Sequence, residues 1–569
     1  MYTSLLDECL KKKDLASARH IQCLVIRDGL DSIGHFWNDH LIRLFAICGN
    51  LDGAKRTFSK VGKPGIFTWN AIISASKKLK QPEKAMDLYV KMHMDGVIPD
   101  VVTYLCMLNA CGALKRMDQT RILHHEVVNC RMDIHINVGS TLVHVYAENG
   151  RLKDARGVFD MLPSRNVVTW GAMISGYVHN GEAHVGLKLF EIMQGEGLSP
   201  SNFTFSCVLK ACGITGAIHE GKLLHCEIMR QNLEVDVVIG STLIGMYLDC
   251  GSMEDAKRVF DRLQNHDIIC WGVMMSGYAA NGYAHHAFEL FKKLQCSSLK
   301  PNIMIYLPML QASGSMQSAQ MGRLIHHEVT ERGLESLLHV KNTLIDMYAK
   351  CGCLQEACDI FEQHPERDLV SWGALMFGYV EYRHPFSALK LLDRMLEENI
   401  KPNSVILLYG VKASSMFASF LQGRSIHDLI LRNGLECQET LGNALIDMYA
   451  QSGDLIDARA VFDSMPERDE LSWGIMFGGY ATNGYENEVF KLYDEMQVQG
   501  LKPNKVMLLS ILNACIGSGA IWQGRIIHTH IIREGFELDI AIGSAVSEMY
   551  VNYGTFNEVF KVFDALPNH

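Results

Sequence analysis

A histidine followed two residues later by a glutamate occurs at His124–Glu126, His225–Glu227 and His326–Glu328. That pair is half of the arrangement a zinc deaminase uses, in which the histidine holds the metal and the glutamate carries protons to and from the activated water. The other half is a pair of cysteine ligands in a Pro-Cys-x-x-Cys segment, and none occurs anywhere in the 569 residues. The three copies also stand 101 residues apart. A surface or packing role at one position of a repeat therefore accounts for them better than catalysis. No nucleophile constellation, phosphate-cradling glycine loop or other metal spacing stands out. The chain is expected not to be an enzyme, with no catalytic residue, no metal site and no cofactor.

The 17 cysteines form no Cys-x-x-Cys pair and no disulfide-like spacing, which fits a reducing compartment. Many recur at one repeat position, such as Cys48, Cys250 and Cys351, or Cys111, Cys212 and Cys515, where a small, weakly polar side chain suits packing between helices. The net charge of -10 gives no overall attraction to nucleic acid, so any such partner must be held by local groups. No apolar run approaches the roughly 20 residues that cross a bilayer, and no membrane partner is expected.

The elements that would position any functional group are repeats. Trp69, Trp170, Trp271, Trp372 and Trp473 are 101 residues apart, as are Gly49, Gly150, Gly251, Gly352, Gly453 and Gly554, and His124, His225, His326, His427 and His528. Within each step lie units of 35, 35 and 31 residues. The array runs 35–65, 66–100, 101–135 and 136–166, recurs as three-unit cycles from 167, 268, 369 and 470, and ends with 540–569. With 1–34, a unit that lacks its opening, this makes 17 units in one uninterrupted array. An ordinary chain of this length would hold roughly four domains; self-similarity predicts a single solenoid and a monomer. Asp7 and Glu8 come too early for an Arg-rich, acid-poor presequence, so no targeting signal is expected in this stretch.

Each unit reads as two antiparallel helices. In 167–201 the first carries Trp170, Met173, Ile174 and Tyr177 on one apolar stripe and stops at Asn180-Gly181. The second places Leu187, Phe190 and Met193 inward and ends at Gly197 with Pro200 beyond. Such a hairpin leaves apolar flanks that only its neighbours can cover, so the hairpins stack and a constant rotation winds the stack into a superhelix with a concave groove. The tryptophans are expected to hold it together.

The stretches VVTWGAMISGY with GLSPS, NFTFSCVLKACG with EGKLLHCEIM, and NTLIDMYAKCGCLQEACDIFEQHPERD resemble the P, L and S motifs of plant pentatricopeptide repeat proteins of the PLS subclass. Tetratricopeptide arrays share the hairpin but not the 35-35-31 alternation. The resemblance spans the whole chain. It implies an all-α, right-handed superhelical solenoid of helix-turn-helix repeats, and recognition of single-stranded RNA at one base per repeat. In that family the main readers are the fifth and the last residue of a motif, and the second packs against the base.

Carried onto this chain, the resemblance implies that Asn70 with Asp100 reads uridine, Ser140 with Asn166 adenine, Ser241 with Asp267 guanine, and both Asn342 with Asp368 and Asn443 with Asp469 uridine. Ser544 in the last unit implies a purine. The base-clamping residues are Phe67, Val168, Ile269 and Val370. Departures from the pattern matter as much. Four of the five P units carry glycine at the fifth position, Gly171, Gly272, Gly373 and Gly474, which cannot read a base and which packing or duplication would explain. Most L units have leucine there, at Leu105, Leu307, Leu408 and Leu509. Discrimination is expected to concentrate in the S units.

In this subclass the last S unit commonly precedes extension segments and a cytidine deaminase domain. The resemblance thus implies the recognition array of a mitochondrial or plastid C-to-U editing factor, with a deaminase or accessory protein supplied elsewhere in the protein or in trans. A protein-binding solenoid scaffold and an RNA-stabilising or processing factor are the alternatives.

Overall fold

The computed structural model describes residues 14–29, 35–231, 233, 236–297, 299–363, 367–417, 420–536 and 538–565. Asp7 and Glu8, on which the presequence expectation rests, and the last four residues of the final unit lie outside them. Among the described residues there are 33 α-helices and no strand. Every unit from residue 35 onward contributes two helices, and Leu15–Arg27 is the second helix of the shortened first unit. No described helix is long and apolar enough to cross a membrane.

Local chemistry sets the helix ends. The Asn166 side chain accepts the Thr169 backbone N–H at 2.9 Å and starts Val167–His179, satisfying a donor that has no partner within the helix. Gly181 (φ 85°) turns the chain into Ala183–Gly195, and Gly197 (φ 77°) ends that helix in the left-handed region that glycine enters without strain. The 31-residue units save their residues in the second helix. It shortens from 13 residues in Ala183–Gly195 to 10 in Leu152–Met161 and 9 in Leu354–Glu362. Leu162, Leu263 and Met465 then leave the helix in extended conformation with their side chains buried.

The helices form two compact units, Met1–Asn281 and Gly282–His569. In the first, each unit's first helix packs on the next from His35–Ile47 to Ile268–Ala280; in the second the same succession runs from Ile303–Ser315 to Ile540–Asn552. The second helices flank these rows. A first helix therefore has neighbours on three sides, and the single stripe expected from spacing is too narrow. Val167–His179 buries Thr169 to Gly176 without a break, plus Val178, while Tyr177 is only half-buried. In the second helix, Leu189 rather than the half-buried Leu187 joins Phe190 and Met193 in the core. Close approach of the first helices relies on small residues: a Cβ at Gly378 would lie 2.8 Å from the Ala349 Cβ.

The periodic tryptophans sit where an S unit meets the following P unit. Trp170 meets Phe159 edge-to-face at 4.8 Å, and Trp372 and Trp473 meet Phe361 and Phe462 at 4.9 Å. Arg165, Arg367 and Arg468 place their guanidinium groups over the same phenylalanines at 4.7–4.8 Å. His266 takes that place beside Phe260 and Trp271.

The periodic histidines link an L unit to the following S unit. Nδ1 of His124, His225, His326, His427 and His528 lies 2.8–3.1 Å from the hydroxyl of Tyr146, Tyr247, Tyr348, Tyr449 and Tyr550. Burial lowers the pKa of His124 and His427 and pushes Tyr146, Tyr348 and Tyr449 up to about 12. Glu126 and Glu328 accept the hydroxyls of Tyr89 and Tyr306 at 2.7 and 3.0 Å. The histidines of all three His-x-Glu copies and the glutamates of two are thus built into inter-helix hydrogen bonds, while Glu227 pairs with Arg230 and Gln231 at the end of its own helix. Cys111, Cys212 and Cys515 are fully buried, and burial pushes their thiols up to about 11, 12 and 12, which removes the thiolate that reactivity needs.

Candidate nucleic-acid interface

The last residue of a unit is also the N-cap of the next first helix. Asp100, Asn166, Asp267, Asp368 and Asp469 each accept the backbone N–H three residues on. This alone would select Asp or Asn. What goes beyond capping is a second partner, the fifth residue of the unit just ended.

Asn70 Nδ2 donates to Asp100 Oδ1 and Oδ2 at 2.9 and 3.0 Å, and Asn70 Oδ1 accepts the Thr103 hydroxyl at 2.6 Å. Asn342 makes the same fork to Asp368 at 3.0 and 2.9 Å. Asn443 holds Asp469 by a single contact of 3.3 Å. In these last two sites a serine replaces Thr103, and its hydroxyl turns to residue 368 or 469 instead. Asn342 Oδ1 and Asn443 Oδ1 are consequently buried with no hydrogen-bond partner among the described residues. Burial raises the Asp469 carboxyl, but hydrogen bonds from the Ser472 hydroxyl and backbone, and with Glu439 and Asn443, outweigh it and hold it at about 2.

The serine pairs differ. Ser140 reaches Asn166 only through Thr169, whose hydroxyl lies 2.6 Å from Ser140 Oγ and donates to Asn166 Oδ1 at 2.9 Å. Ser241 donates to the Val238 carbonyl at 2.9 Å, while Asp267 caps at Cys270, and no contact between the two is formed. Ser544 is exposed.

Phe67, Val168, Ile269 and Val370 are all exposed, by 67, 67, 52 and 61%. Single exposed apolar side chains are ordinary on a protein surface, so it is their recurrence at one repeat position that marks these. The pattern is wider than expected from sequence: Leu471 in the last P unit and Val102, Phe203, Met304, Val405 and Val506 in the L units are exposed at the same second position. An apolar residue directly after each cap and its first helical residue was the available signal. In the first compact unit Val168 and Phe203 line a groove of about 640 Å³, together with Ser140, Asn166, Asn109 and Lys77. Apolar walls with a few polar groups on one side suit a flat heterocycle with a hydrogen-bonding edge.

Packing explains only part of the glycine series. A Cβ at Gly171 would stand 3.3 Å from Phe203 and Thr204, a tight fit. One at Gly373 would meet nothing nearer than Ile406 at 3.9 Å, and one at Gly474 nothing within 4 Å. At those two positions glycine leaves open space. Leu105, Leu307, Leu408 and Leu509 are half-buried and offer no hydrogen-bonding group. Among the described residues no cluster of His, Cys, Asp or Glu could hold a metal ion.

The PPR repeat family matches at 64–113 and 165–213, and the PPR repeat at 140–167, 241–268, 269–299, 340–363, 370–400, 443–469 and 471–501. A chloroplastic pentatricopeptide repeat-containing protein of Arabidopsis thaliana is 30% identical over 95% of this chain and 62% of its own length. A second chloroplastic one is 30% identical over 99% and 69%, and a mitochondrial one 29% identical over 93% and 52%. The chain thus spans between about half and two thirds of the length of these relatives. The crystal structure of the maize pentatricopeptide repeat protein PPR10 superimposes with a TM-score of 0.64 at 16% identity, covering 99% of this chain and 93% of that one. The same protein in complex with an 18-nt psaJ RNA element gives 0.56 at 17% identity, covering 99% and 91%. On the repeat matches and on a relative 30% identical over more than two thirds of its length, this chain belongs to the pentatricopeptide repeat family.

Proposed function

We propose that the chain is a PLS-type recognition array for single-stranded RNA, continuous over its 17 units and aligned with the RNA at one base per unit, in the specificity part of an organellar C-to-U editing factor. The observation that carries this reading is the site around Asn70. There an asparagine is forked onto Asp100, and the second residues of its own and the following unit, Phe67 and Val102, are exposed apolar side chains. Apolar faces give a base something to stack on at about 1 to 3 kcal/mol, and the polar pair meets its edge. That the maize protein's structure holds RNA, and that relatives are named chloroplastic or mitochondrial, supports the reading. The array works as a monomer and holds no zinc. Deaminase chemistry comes from another part of the protein or from a partner.

Taking the units from 66 onward with the RNA running 5′ to 3′, the site has the form U-n-A-n-n-G-n-n-U-n-n-U-n-n-R. The uridines at Asn70, Asn342 and Asn443 rest on direct Asn–Asp contacts. The guanine at Ser241 is the weakest position, because Ser241 and Asp267 do not meet. Selection of this chain on randomised single-stranded RNA is the test. The expected pool carries the spaced uridines, whereas a chain that enriches no RNA at low micromolar protein is a protein-binding scaffold instead.

A further inference from the structure

The glycine-bearing P units are mute if only the fifth and last residues read, yet the space at Gly373 is not empty of chemistry. In the second compact unit a cleft of about 410 Å³ has Val370 and Val405 as apolar walls, with Gly373, Asn403, Asp346 and Lys350 also lining it. Val370 and Val405 are 61 and 47% exposed, at the second positions of consecutive units. Asp346 and Lys350 come from the first helix of the preceding S unit, one and two turns beyond Asn342 on the same face. Lys350 Nζ donates to Asp346 Oδ2 at 2.7 Å, and both side chains keep solvent exposure, 41 and 31%. Because the nearest atom to a Cβ at Gly373 is 3.9 Å away, no packing demand explains the glycine. A longer side chain there would stand in the cleft and screen the Asp346–Lys350 pair from it.

The pairing recurs with the glycine. Ahead of Gly171 the same two positions hold His144 and Glu148, 3.4 Å apart, and ahead of Gly474 they hold Asp447 and Gln451, 2.8 Å apart. Ahead of Asn70, the one P unit that keeps a reading asparagine, they hold Arg43 and Ile47, which cannot pair. Gly272 is the exception, following Gly245 and Asp249.

Resting on the RNA reading above, we propose that the base held between Val370 and Val405 is read across the gap left by Gly373 by the Asp346–Lys350 pair of the preceding repeat, and that this base is guanine. A carboxylate offers two acceptor oxygens side by side and an ammonium only donors. Guanine's Watson–Crick edge presents two adjacent N–H donors, which fit the carboxylate, beside the O6 acceptor, which fits the ammonium. Uracil and adenine each lack one part of that complement, and cytosine has a single donor group. The silent position immediately 3′ of the uridine assigned to Asn342–Asp368 thereby gains a reader.

The experiment is selection of the full chain on randomised single-stranded RNA, with the wild type and the Asp346→Ala and Lys350→Met variants. Thermal melts confirm that these surface changes leave the fold intact. The wild-type pool should favour guanine directly 3′ of that uridine by on the order of tenfold. Each variant should lose that preference while the uridine remains. A pool with the uridine but no guanine beside it overturns the inference and leaves RNA reading standing. So does a Lys350→Met variant that weakens all RNAs equally, which would make the lysine a phosphate contact. A wild-type pool with no enriched RNA overturns the RNA reading itself.

Discussion

Asn342 Nδ2 donates to both carboxylate oxygens of Asp368, at 3.0 and 2.9 Å, while Asp368 Oδ1 also accepts the Ser371 backbone N–H at 3.0 Å. One carboxylate therefore starts a helix and orients the asparagine of the preceding unit. The two duties separate by substitution. Asp368→Ala should cost about 0.5 to 2 kcal/mol by loss of the cap. Asp368→Asn, which keeps the cap but sets an amide NH2 against Asn342 Nδ2, should cost less than Asp368→Ala. Chemical denaturation of the two variants checks this, and an equal loss in both would show that the cap is not what Asp368 contributes to stability.

The orphaned Asn342 Oδ1 points to a gain rather than a loss. At the Asn70 site the equivalent oxygen is satisfied by Thr103, whereas Ser371 spends its hydroxyl on the Asp368 carbonyl at 2.8 Å. Ser371→Thr should favour the arrangement at Asn70 and raise stability by about 0.5 to 1.5 kcal/mol, the usual net worth of a hydrogen bond. A rise in melting temperature is the readout; a fall would mean that the added methyl is not accommodated.

Trp372 is fully buried against Phe361, with Arg367 stacked on that ring. Trp372→Ala should lose about 3 to 5 kcal/mol. Trp372→Phe should retain much of that by keeping an edge-to-face partner. Loss of helical circular dichroism at a lower denaturant concentration for the alanine variant than for the phenylalanine one is expected.

The histidine links give the fold a dependence on pH. Burial depresses the pKa of His124 and His427 in the folded chain. As pH falls below about 6.5, the unfolded chain takes up protons that the folded one refuses. Stability should therefore be flat at neutral pH, decline below that value, and level off below the depressed folded pKa. His427→Gln should soften the decline. Melting temperatures between pH 8 and 5 decide it, and a wild type that gains stability on acidification would contradict the burial argument.

Trp170 and its partners, 101 residues apart, made the hairpin array legible, and the stop at Asn180-Gly181 was readable from turn chemistry. The width of the buried face was not, because three-and-four spacing describes a helix with one neighbour and Val167–His179 has several. At the site, Asn70, Asn342 and Asn443 meet the aspartates expected of them. Ser241 turns to the Val238 carbonyl, and Ser140 needs Thr169 as a bridge. Side-chain reach across a unit boundary depends on backbone placement that residue identity does not encode. Gly373 shows the same limit: that it faces open space follows from the packing around it and not from its place in the repeat.

Base reading is tested most directly at the Asn342–Asp368 pair. Changing Asn342→Ser together with Asp368→Asn gives that unit the residue pair found at Ser140 and Asn166. Binding selection on randomised single-stranded RNA with the wild type and this double variant should move one position from uridine to adenine and leave the neighbouring positions as they were. A polar pair facing the wrong base leaves a group unsatisfied at about 1 to 3 kcal/mol, enough to be visible in the enriched pools. Identical pools at that position would contradict base reading by this array.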